Sequence, residues 1–259
     1  MVLLRVLCQR FPQRQFHAVA DSTYGGQSVL NHLPTNCDLT SRLLQNARLY
    51  GAAPARQPGQ KGRPRQRGPQ LPTPAQLVQR QAKHHTLAWY GRRDRVRLVD
   101  LVAYVYAAPE RPLRVVAVES LTGGRPRQAF YSTCVRATAL EVLTWYAQRW
   151  AIEVAFHDSK QHLGFEEPQN WTRRAVQRTA PLALLLYGLI VVWFGQGGHR
   201  EYRAEKRPWY PQKAVPSFAD MLTTLRRCNI RAEVLTCGLQ GRGSRKIRKA
   251  LETAVSRAA

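Results

Sequence analysis

Residues 145–164 read WYAQRWAIEVAFHDSKQHLG. Four of its polar residues are spaced by three, four and seven positions: Tyr146, Arg149, Glu153 and Lys160. An α-helix turns about 100° per residue, so these four fall on one stripe roughly 60° wide. Apolar residues flank the stripe on both sides: Trp145, Trp150, Ile152, Val154 and Phe156. A polar stripe between apolar flanks reverses the usual surface helix and predicts that the stripe lines a cleft.

Glu153 is the residue on this stripe that could bind a metal ion. A carboxylate with a cation one turn before it and another two turns after it suits a metal ion that bridges to a phosphodiester. Arg149, Lys160 and Tyr146 would then hold the flanking phosphates. The alternative is an intrahelical salt bridge between Arg149 and Glu153, which are four residues apart. Spacing alone leaves both interpretations open and favours the salt bridge.

The neighbouring segments predict alternating strands and helices. Thr138 with Glu141 forms a capping-box pattern, which predicts one long helix from there to Gly164. Near the start of the chain, the apolar run 16–20 predicts a strand that ends at Asp21, and residues 37–44 predict a second strand. Gly25 and Gly26 break the chain between them, before a short helix.

A basic segment separates these strands from a region rich in valine and tyrosine. Residues 39–93 contain 11 basic residues and no acidic one. Residues 58–72 are rich in Gly, Pro, Gln and Arg, which predicts a linker. Residues 96–106, 113–120 and 128–134 predict a small antiparallel sheet.

The overall charge favours a polyanionic partner. Lys and Arg number 40 against 16 Asp and Glu, a formal net charge of +24. Nucleic acid is the commonest partner for such a charge. The 5 cysteines include no Cys-x-x-Cys pair, so neither a disulfide framework nor a zinc site is predicted. The longest apolar run, 180–194, is shorter than the roughly 20 residues that cross a bilayer, and predicts a buried helix and no membrane partner.

The stripe and the early strands resemble a known family. The run from Trp145 to Gly164 resembles the Tyr-x2-Arg-x3-Glu-x6-Lys signature of bacterial insertion-sequence transposases with an Asp-Asp-Glu (DDE) active site, and all four signature residues match. Val19–Tyr24 looks like the second aspartate motif of this family, and residues 39–50 look like the strand that follows it. The resemblance covers most of the chain up to Phe194.

The resemblance implies an α/β fold of the ribonuclease-H-like type, with a mixed sheet between helices. The chain would hold a partial catalytic core in residues 1–50, and a basic linker with a β-rich insertion in 51–137. Residues 138–197 would add the glutamate helix and the buried helix of the core, and 198–259 would form a basic, helical C-terminal region.

The resemblance also implies the site and the activity. Asp21 and Glu153 would be catalytic and would bind Mg²⁺ or Mn²⁺, and Tyr146, Arg149 and Lys160 would contact DNA. The chain would be a DNA transposase, an endonuclease and strand transferase that cuts the ends of an insertion sequence and joins them to target DNA. Its partners would be double-stranded DNA and a second copy or an intact transposase, in the bacterial cytoplasm at the nucleoid.

One member of the carboxylate triad is missing from this sequence. Residues 1–20 contain no Asp or Glu, and Asp21 is followed by two glycines and a helix, as the second aspartate of the family is. We therefore expect an N-terminally truncated chain that lacks the first strands and the first aspartate and is inactive by itself. The alternative is a non-catalytic DNA-binding remnant, using residues 56–67 and the tail 241–249, that interferes with an intact transposase.

Overall fold

The structure is a computed structural model. It describes residues 1–56, 61–89, 92–123, 125–167, 172–204, 213, 215–236, 246–247, 249–250 and 253. The chain forms two compact units, Met1–Trp150 (unit 1) and Ala151–Ala259 (unit 2).

Unit 1 is a mixed sheet with helices on both faces. Its helices are α1 (Val2–Arg10), α2 (Gln27–Leu30), α3 (Pro74–Gln81) and α4 (Ala139–Gln148). Its strands are β1 (Phe16–Ala20), β2 (Cys37–Leu43), β3 (Leu49–Tyr50), β4 (Gln70–Leu71), β5 (Lys83–Trp89), β6 (Arg92–Val105), β7 (Ala108–Ser120) and β8 (Gln128–Ser132). The strand order is β1-β2-β8-β7-β6-β3-β4, with β5 also paired to β6.

The pairing pattern confirms the two early strands and extends the predicted antiparallel sheet. β1 and β2 are parallel, whereas β8, β7 and β6 are antiparallel neighbours. The three antiparallel strands do not form a separate small sheet, because β8 pairs directly with β2. β1 lies at the edge of the sheet, and among the described residues its outer side pairs with no strand.

Of the linker predicted for residues 58–72, residues 58–60 lie outside the described residues, and the described part, 61–72, is more ordered than its composition indicates. Within and just after it lie β4 and α3, and α3 begins with a capping box in which Thr73 and Gln76 bond reciprocally. Backbone hydrogen bonds from Gly51 N to Pro69 O (2.8 Å) and from Gly68 N to Gly51 O (3.2 Å) close the base of the loop. The described residues of this segment therefore belong to the connection between the paired strands β3 and β4.

The core lies on both faces of β7, the strand between β6 and β8. Val115 and Val116 are both fully buried although they point to opposite faces. Val115 packs with Tyr131 on the face that carries residues of α1, α2 and α3. Val116 packs with Phe130 and with α4 on the other face. A central strand that is covered on both faces has a continuous run of apolar residues in its sequence, as residues 115–118 do.

The predicted single helix from Thr138 to Gly164 is wrong in one respect, because it is interrupted at Arg149. Helix α4 ends at Gln148 and α5 (Trp150–His162) begins two residues later. Arg149 keeps helical dihedral angles, but its N–H donates to the carbonyl of Tyr146, three residues back, as in a 3₁₀ turn. No glycine or proline lies at this point, so the sequence carries no sign of the interruption.

Unit 2 is helical in its described residues. It contains α5, α6 (Arg173–Gln196), a short 3₁₀ turn (Gly198–Arg200) and α7 (Phe218–Thr236). Thr172 caps α6 by accepting a hydrogen bond from the N–H of Ala175. The ring of Tyr187 on α6 stacks on Phe218 of α7, with centroids 4.7 Å apart. Aromatic stacking thus joins the two long helices.

The prediction that residues 180–194 form a buried helix is wrong. Helix α6 buries few residues, Ala183, Ile190 and Phe194 among them, while Leu182, Leu185 and Leu189 are each more than half exposed. Composition identified an apolar helix, but it cannot show how many neighbours cover it. By length and hydropathy α6 could cross a membrane, which is weak evidence, since core helices of soluble proteins meet the same criteria.

Candidate active site

Asp21 lies directly after β1, at the carboxyl end of the edge strand. Its Oδ1 accepts hydrogen bonds from the backbone N–H groups of Thr23 (2.9 Å) and Tyr24 (3.3 Å). These bonds form a local turn of the kind that aspartate favours, and they fix the orientation of the carboxylate. Oδ2 accepts no hydrogen bond from the described residues, so it is the oxygen available to a ligand.

Two side chains from neighbouring strands fix the loop that carries Asp21. Ser41 on β2 donates from Oγ to the Asp21 carbonyl at 2.8 Å. Tyr131 on β8 donates from its hydroxyl to the Gly25 carbonyl at 2.5 Å. Ser41 and Tyr131 are cross-strand partners. One end of the loop is therefore held by β2 and the other by β8, the two strands that follow β1 in the sheet.

Gly25 makes this arrangement possible. A Cβ at position 25 would lie 2.3 Å from Ser41 Oγ and 2.6 Å from the Tyr131 hydroxyl, closer than atoms can approach. Sequence reasoning identified the glycine pair only as a chain break and missed Ser41 and Tyr131. The separation of 106 residues between Tyr131 and Gly25 left no local pattern that could have revealed the contact.

The buried phenol of Tyr131 predicts a loss of stability at high pH. Burial raises its pKa from 10.0 to about 12. The folded chain thus favours the protonated phenol, so this stability is present below about pH 10 and is lost as the pH rises toward 12. Two pKa units correspond to on the order of 2–3 kcal/mol. We expect urea denaturation between pH 10 and 12 to show this loss in the wild type and not in Tyr131→Phe. An equal loss in both would contradict the assignment.

Helix α4 packs against β1, β2 and β8, and it carries the signature residue Tyr146, while Arg149 directly follows it. The Tyr146 side chain is only 8% exposed, and its ring packs on Phe130 with centroids 4.5 Å apart. The Arg149 guanidinium carbon lies 5.9 Å from the centre of the Tyr146 ring. Tyr146 is therefore a core residue beside a half-buried arginine.

Histidine 17 on β1 connects the same helix to the strand that ends at Asp21. The rings of His17 and Trp145 lie 4.0 Å apart, and His17 Nε2 is 2.8 Å from Thr40 Oγ1. Burial lowers the pKa of His17, although the nearby Asp38 carboxylate opposes this effect. The imidazole is thus held neutral as part of the packing between α4 and the sheet.

Helix α5 carries the other two signature residues in unit 2. Seven residues apart on one helix, Glu153 and Lys160 lie about 20° apart around its axis. Glu153 is half-buried, while Lys160 is exposed and forms an ion pair with Glu166. The apolar neighbours of Glu153 are exposed, Trp150 to 56% and Ile152 to 55%. The cleft that these flanks predicted stays a prediction.

The two candidate metal ligands belong to different units, Asp21 to unit 1 and Glu153 to unit 2. Carboxylate oxygens are the donors that Mg²⁺ and Mn²⁺ prefer, so the chemistry of both residues fits such an ion. Within the described part of the chain, no group of three or more His, Cys, Asp and Glu side chains could hold a metal. The donor type of both candidate residues thus fits.

Comparison with known proteins identifies the family. The family model of the transposase DDE domain matches residues 2–189. A comparison with curated proteins found no match. The matched region begins in α1, includes the whole sheet with Asp21 at its edge, and continues through Glu153 on α5 into α6. With well over half of its length matched in this way, the chain belongs to the transposase DDE domain family.

Proposed function

We propose that this chain is part of an insertion-sequence DNA transposase in which Asp21 and Glu153 are catalytic and bind Mg²⁺ or Mn²⁺. The observation that carries the proposal is the fixed carboxylate of Asp21, with Oδ1 held by two N–H groups and Oδ2 directed to no described partner. A preorganised carboxylate at the end of an edge strand suits a catalytic ligand better than a structural one. The family match supports a nuclease and strand-transferase activity on DNA.

The chain's own residues would orient the reaction. Asp21 and Glu153 would hold the ion through carboxylate oxygens, and Ser41 and Tyr131 would keep the Asp21 loop in place. A divalent ion bound there supplies activation of the attacking hydroxyl and stabilisation of the leaving oxygen of the phosphodiester. The rigid loop matters because catalytic groups must stay within fractions of an ångström of their working positions.

Arg149 and Lys160 are the residues proposed to contact DNA phosphates near these carboxylates. The side chain of Lys160 is 45% exposed, and its ion pair with Glu166 lies at the surface. Surface ion pairs contribute only about 0–1 kcal/mol, so a phosphate can replace Glu166 at little cost. Tyr146 was expected to contact DNA as well, but its ring is buried. We therefore propose that Tyr146 positions Arg149.

The proposed active site is incomplete in these 259 residues. We assign β1 and β2 to the fourth and fifth strands of a ribonuclease-H-like sheet, an assignment that rests on the resemblance. The outer side of β1, which pairs with no strand in the described part of the chain, supports it. The strand bearing the first aspartate would lie next to β1, and no Asp or Glu precedes Asp21 in the sequence. Two carboxylates offset less of the positive charge of the bound metal than three do, so metal affinity and activity should both be low.

We expect the purified chain to leave supercoiled DNA uncut in Mg²⁺ or Mn²⁺. Nicking should stay at the level of Glu153→Gln and of a buffer without protein, because the third carboxylate is missing. Plasmid relaxation on an agarose gel measures this result. Metal-dependent nicking that Glu153→Gln abolishes would contradict the proposed inactivity and would confirm the catalytic role of Glu153.

Metal binding tests the carboxylate assignment without requiring activity. Free Mn²⁺, followed by electron paramagnetic resonance, should bind the wild type weakly, and Asp21→Asn should weaken binding about tenfold or more, because a direct ligand is lost. Glu110→Gln removes an exposed carboxylate outside the proposed site and is the matched control. Equal binding by Asp21→Asn and Glu110→Gln would show that Asp21 is not a ligand.

A second candidate function is a non-catalytic DNA-binding remnant that interferes with an intact transposase or pairs with another copy. The exposure of Lys61, Arg63 and Arg65 favours it, because these cations lie on the loop closed at its base by β3 and β4. Arg67 anchors this loop, with its guanidinium carbon 3.9 Å from the centre of the Tyr106 ring. The tail 241–249, expected to contribute, lies mostly outside the described residues. Metal-dependent cleavage separates the two functions.

A further inference from the structure

Unit 2 contains a pocket in which basic side chains converge. It lies beside α7 and has a volume of about 210 Å³. Four of its lining residues are cationic: Arg203, Arg227, Arg231 and Lys249. Glu201 is the one acidic residue among those that line it. The lining residues therefore carry four positive charges against one negative charge, in a space several times larger than a water molecule.

The two arginines of α7 share one face of that helix. Arg227 and Arg231 are four residues apart, a spacing that places side chains one above the other. Arg227 is half-buried, whereas the preceding Arg226 is exposed and does not line the pocket. Two like charges at this spacing repel each other, so the free chain gains nothing from placing them together. An anionic ligand would offset that repulsion.

The acidic residue of the pocket neutralises the cations only partly. Glu201 is 3.3 Å from Arg231, in an ion pair whose side chains are 54% and 47% exposed. A pair this exposed is weak and can be exchanged for another anion. Arg203, Arg227 and Lys249 line the same pocket without a second acidic group among the lining residues.

The pKa of the Cys228 thiol is influenced by the charged groups of this pocket. Burial raises its pKa and the Glu201 carboxylate raises it further, while Arg227 and Arg231 act in the opposite direction. Both guanidinium groups are thus close enough to influence the same sulfur atom. Their charges act on one small volume and are not dispersed over the surface of the helix.

We propose that this pocket binds a phosphate group of the DNA backbone. Guanidinium groups present parallel N–H donors that match the oxygens of a phosphodiester, and two of them on one helix face can hold a single phosphate from one side. The inference rests on the proposed function, since it takes DNA as the partner. It adds a contact in unit 2 that depends on residues outside the stripe of α5.

Binding of the full chain to a double-stranded DNA probe tests the pocket. Fluorescence anisotropy over a range of salt concentrations should show about 10- to 100-fold weaker binding for Arg227→Gln/Arg231→Gln, and a salt slope lower by about one for each DNA phosphate that the variant no longer neutralises. Arg226→Gln removes one positive charge next to the pocket and should change the affinity by less than about twofold. Circular dichroism verifies that the variants are folded.

A second variant changes affinity in the opposite direction. Glu201→Gln removes the one negative charge of the pocket and releases Arg231, so it should tighten DNA binding by about two- to fivefold. Damage to the fold would weaken binding, so a gain excludes that explanation. Unchanged or weaker binding by folded Glu201→Gln would contradict the proposal.

Inorganic phosphate distinguishes the backbone from a free ion. A pocket that binds free phosphate but not DNA would give two results. Phosphate at constant ionic strength would stabilise the wild type but not Arg227→Gln/Arg231→Gln, and both proteins would bind DNA with equal affinity. These results would overturn the proposal. Wild type that binds no DNA refutes the proposed function itself. Wild type that binds DNA, with Arg227→Gln/Arg231→Gln indistinguishable from Arg226→Gln, refutes the pocket alone.

Discussion

Replacement of Phe130 by alanine is expected to lower the free energy of unfolding of unit 1 by about 3–5 kcal/mol. Phe130 is fully buried on β8, and its ring packs against Tyr146 of α4. Alanine leaves a cavity between the sheet and α4 that a close-packed core cannot fill. The same cavity loosens α4, the helix that Arg149 directly follows. Urea denaturation, followed by tryptophan fluorescence because Trp145 lies on α4, measures the change.

Phe11→Ala is the matched control for this prediction. Phe11 belongs to the same unit, but its side chain is 47% exposed and it follows the end of α1. The same substitution there should cost less than about 1 kcal/mol, because the side chain packs against little. Similar costs for the two variants would mean that the contact between β8 and α4 is not a centre of stability in unit 1.

Alanine at Gly25 should lower the stability of the same unit by about 2–4 kcal/mol. The added Cβ collides with Ser41 Oγ and the Tyr131 hydroxyl, the two groups that hold the Asp21 loop. Overpacking costs about 1–3 kcal/mol, and loss of a hydrogen bond adds roughly 0.5–1.5 kcal/mol. Movement of the loop would also displace Asp21, so Mn²⁺ binding should fall together with stability.

Gly26→Ala separates this steric effect from a general effect of glycine replacement. A Cβ at Gly26 meets no atom within 4 Å, and its φ of −80° is open to any residue. We expect a change of less than about 1 kcal/mol and unchanged Mn²⁺ binding. If Gly26→Ala is as damaging as Gly25→Ala, backbone freedom and not the contact with Ser41 and Tyr131 is what the loop requires.

These two predictions concern opposite faces of one strand. Phe130 and Tyr131 are consecutive on β8, so their side chains point to opposite sides of the sheet. Phe130 supports α4 on one face, and Tyr131 fixes the Asp21 loop on the other. Strand β8 therefore contributes both to the packing of α4 and to the position of the Asp21 carboxylate.

Several elements could be predicted from local patterns. The strands at 16–20 and 37–44 agree with β1 and β2, because each is a short run of strand-forming residues that ends in a turn. The antiparallel order of β6, β7 and β8 follows from short connections between runs rich in valine and tyrosine. Helix α3 also had a readable signal in Thr73 and Gln76, which sequence reasoning overlooked.

Other elements depend on partners distant in the chain. Strand β5 contains Lys83, His84 and His85, which indicate no strand by themselves, and it exists because β6 pairs with it over its full length. The apolar composition of α6 is the same whether the helix is covered or exposed. The 3₁₀ turn at Arg149 has no glycine or proline to mark it. In each case the deciding interaction lies outside the local pattern.

The family, and Asp21 and Glu153 as candidate site residues, could be predicted from the sequence alone, because residue type and helical spacing are local properties. How the Asp21 loop is held depends on the tertiary structure, since Ser41 bonds to a residue 20 positions away and Tyr131 to one 106 positions away. The same holds for the basic pocket, because Arg203 precedes α7 in the sequence and Lys249 follows it, yet both line the pocket beside α7. Such contacts follow from the register and packing of whole elements, which no single segment encodes.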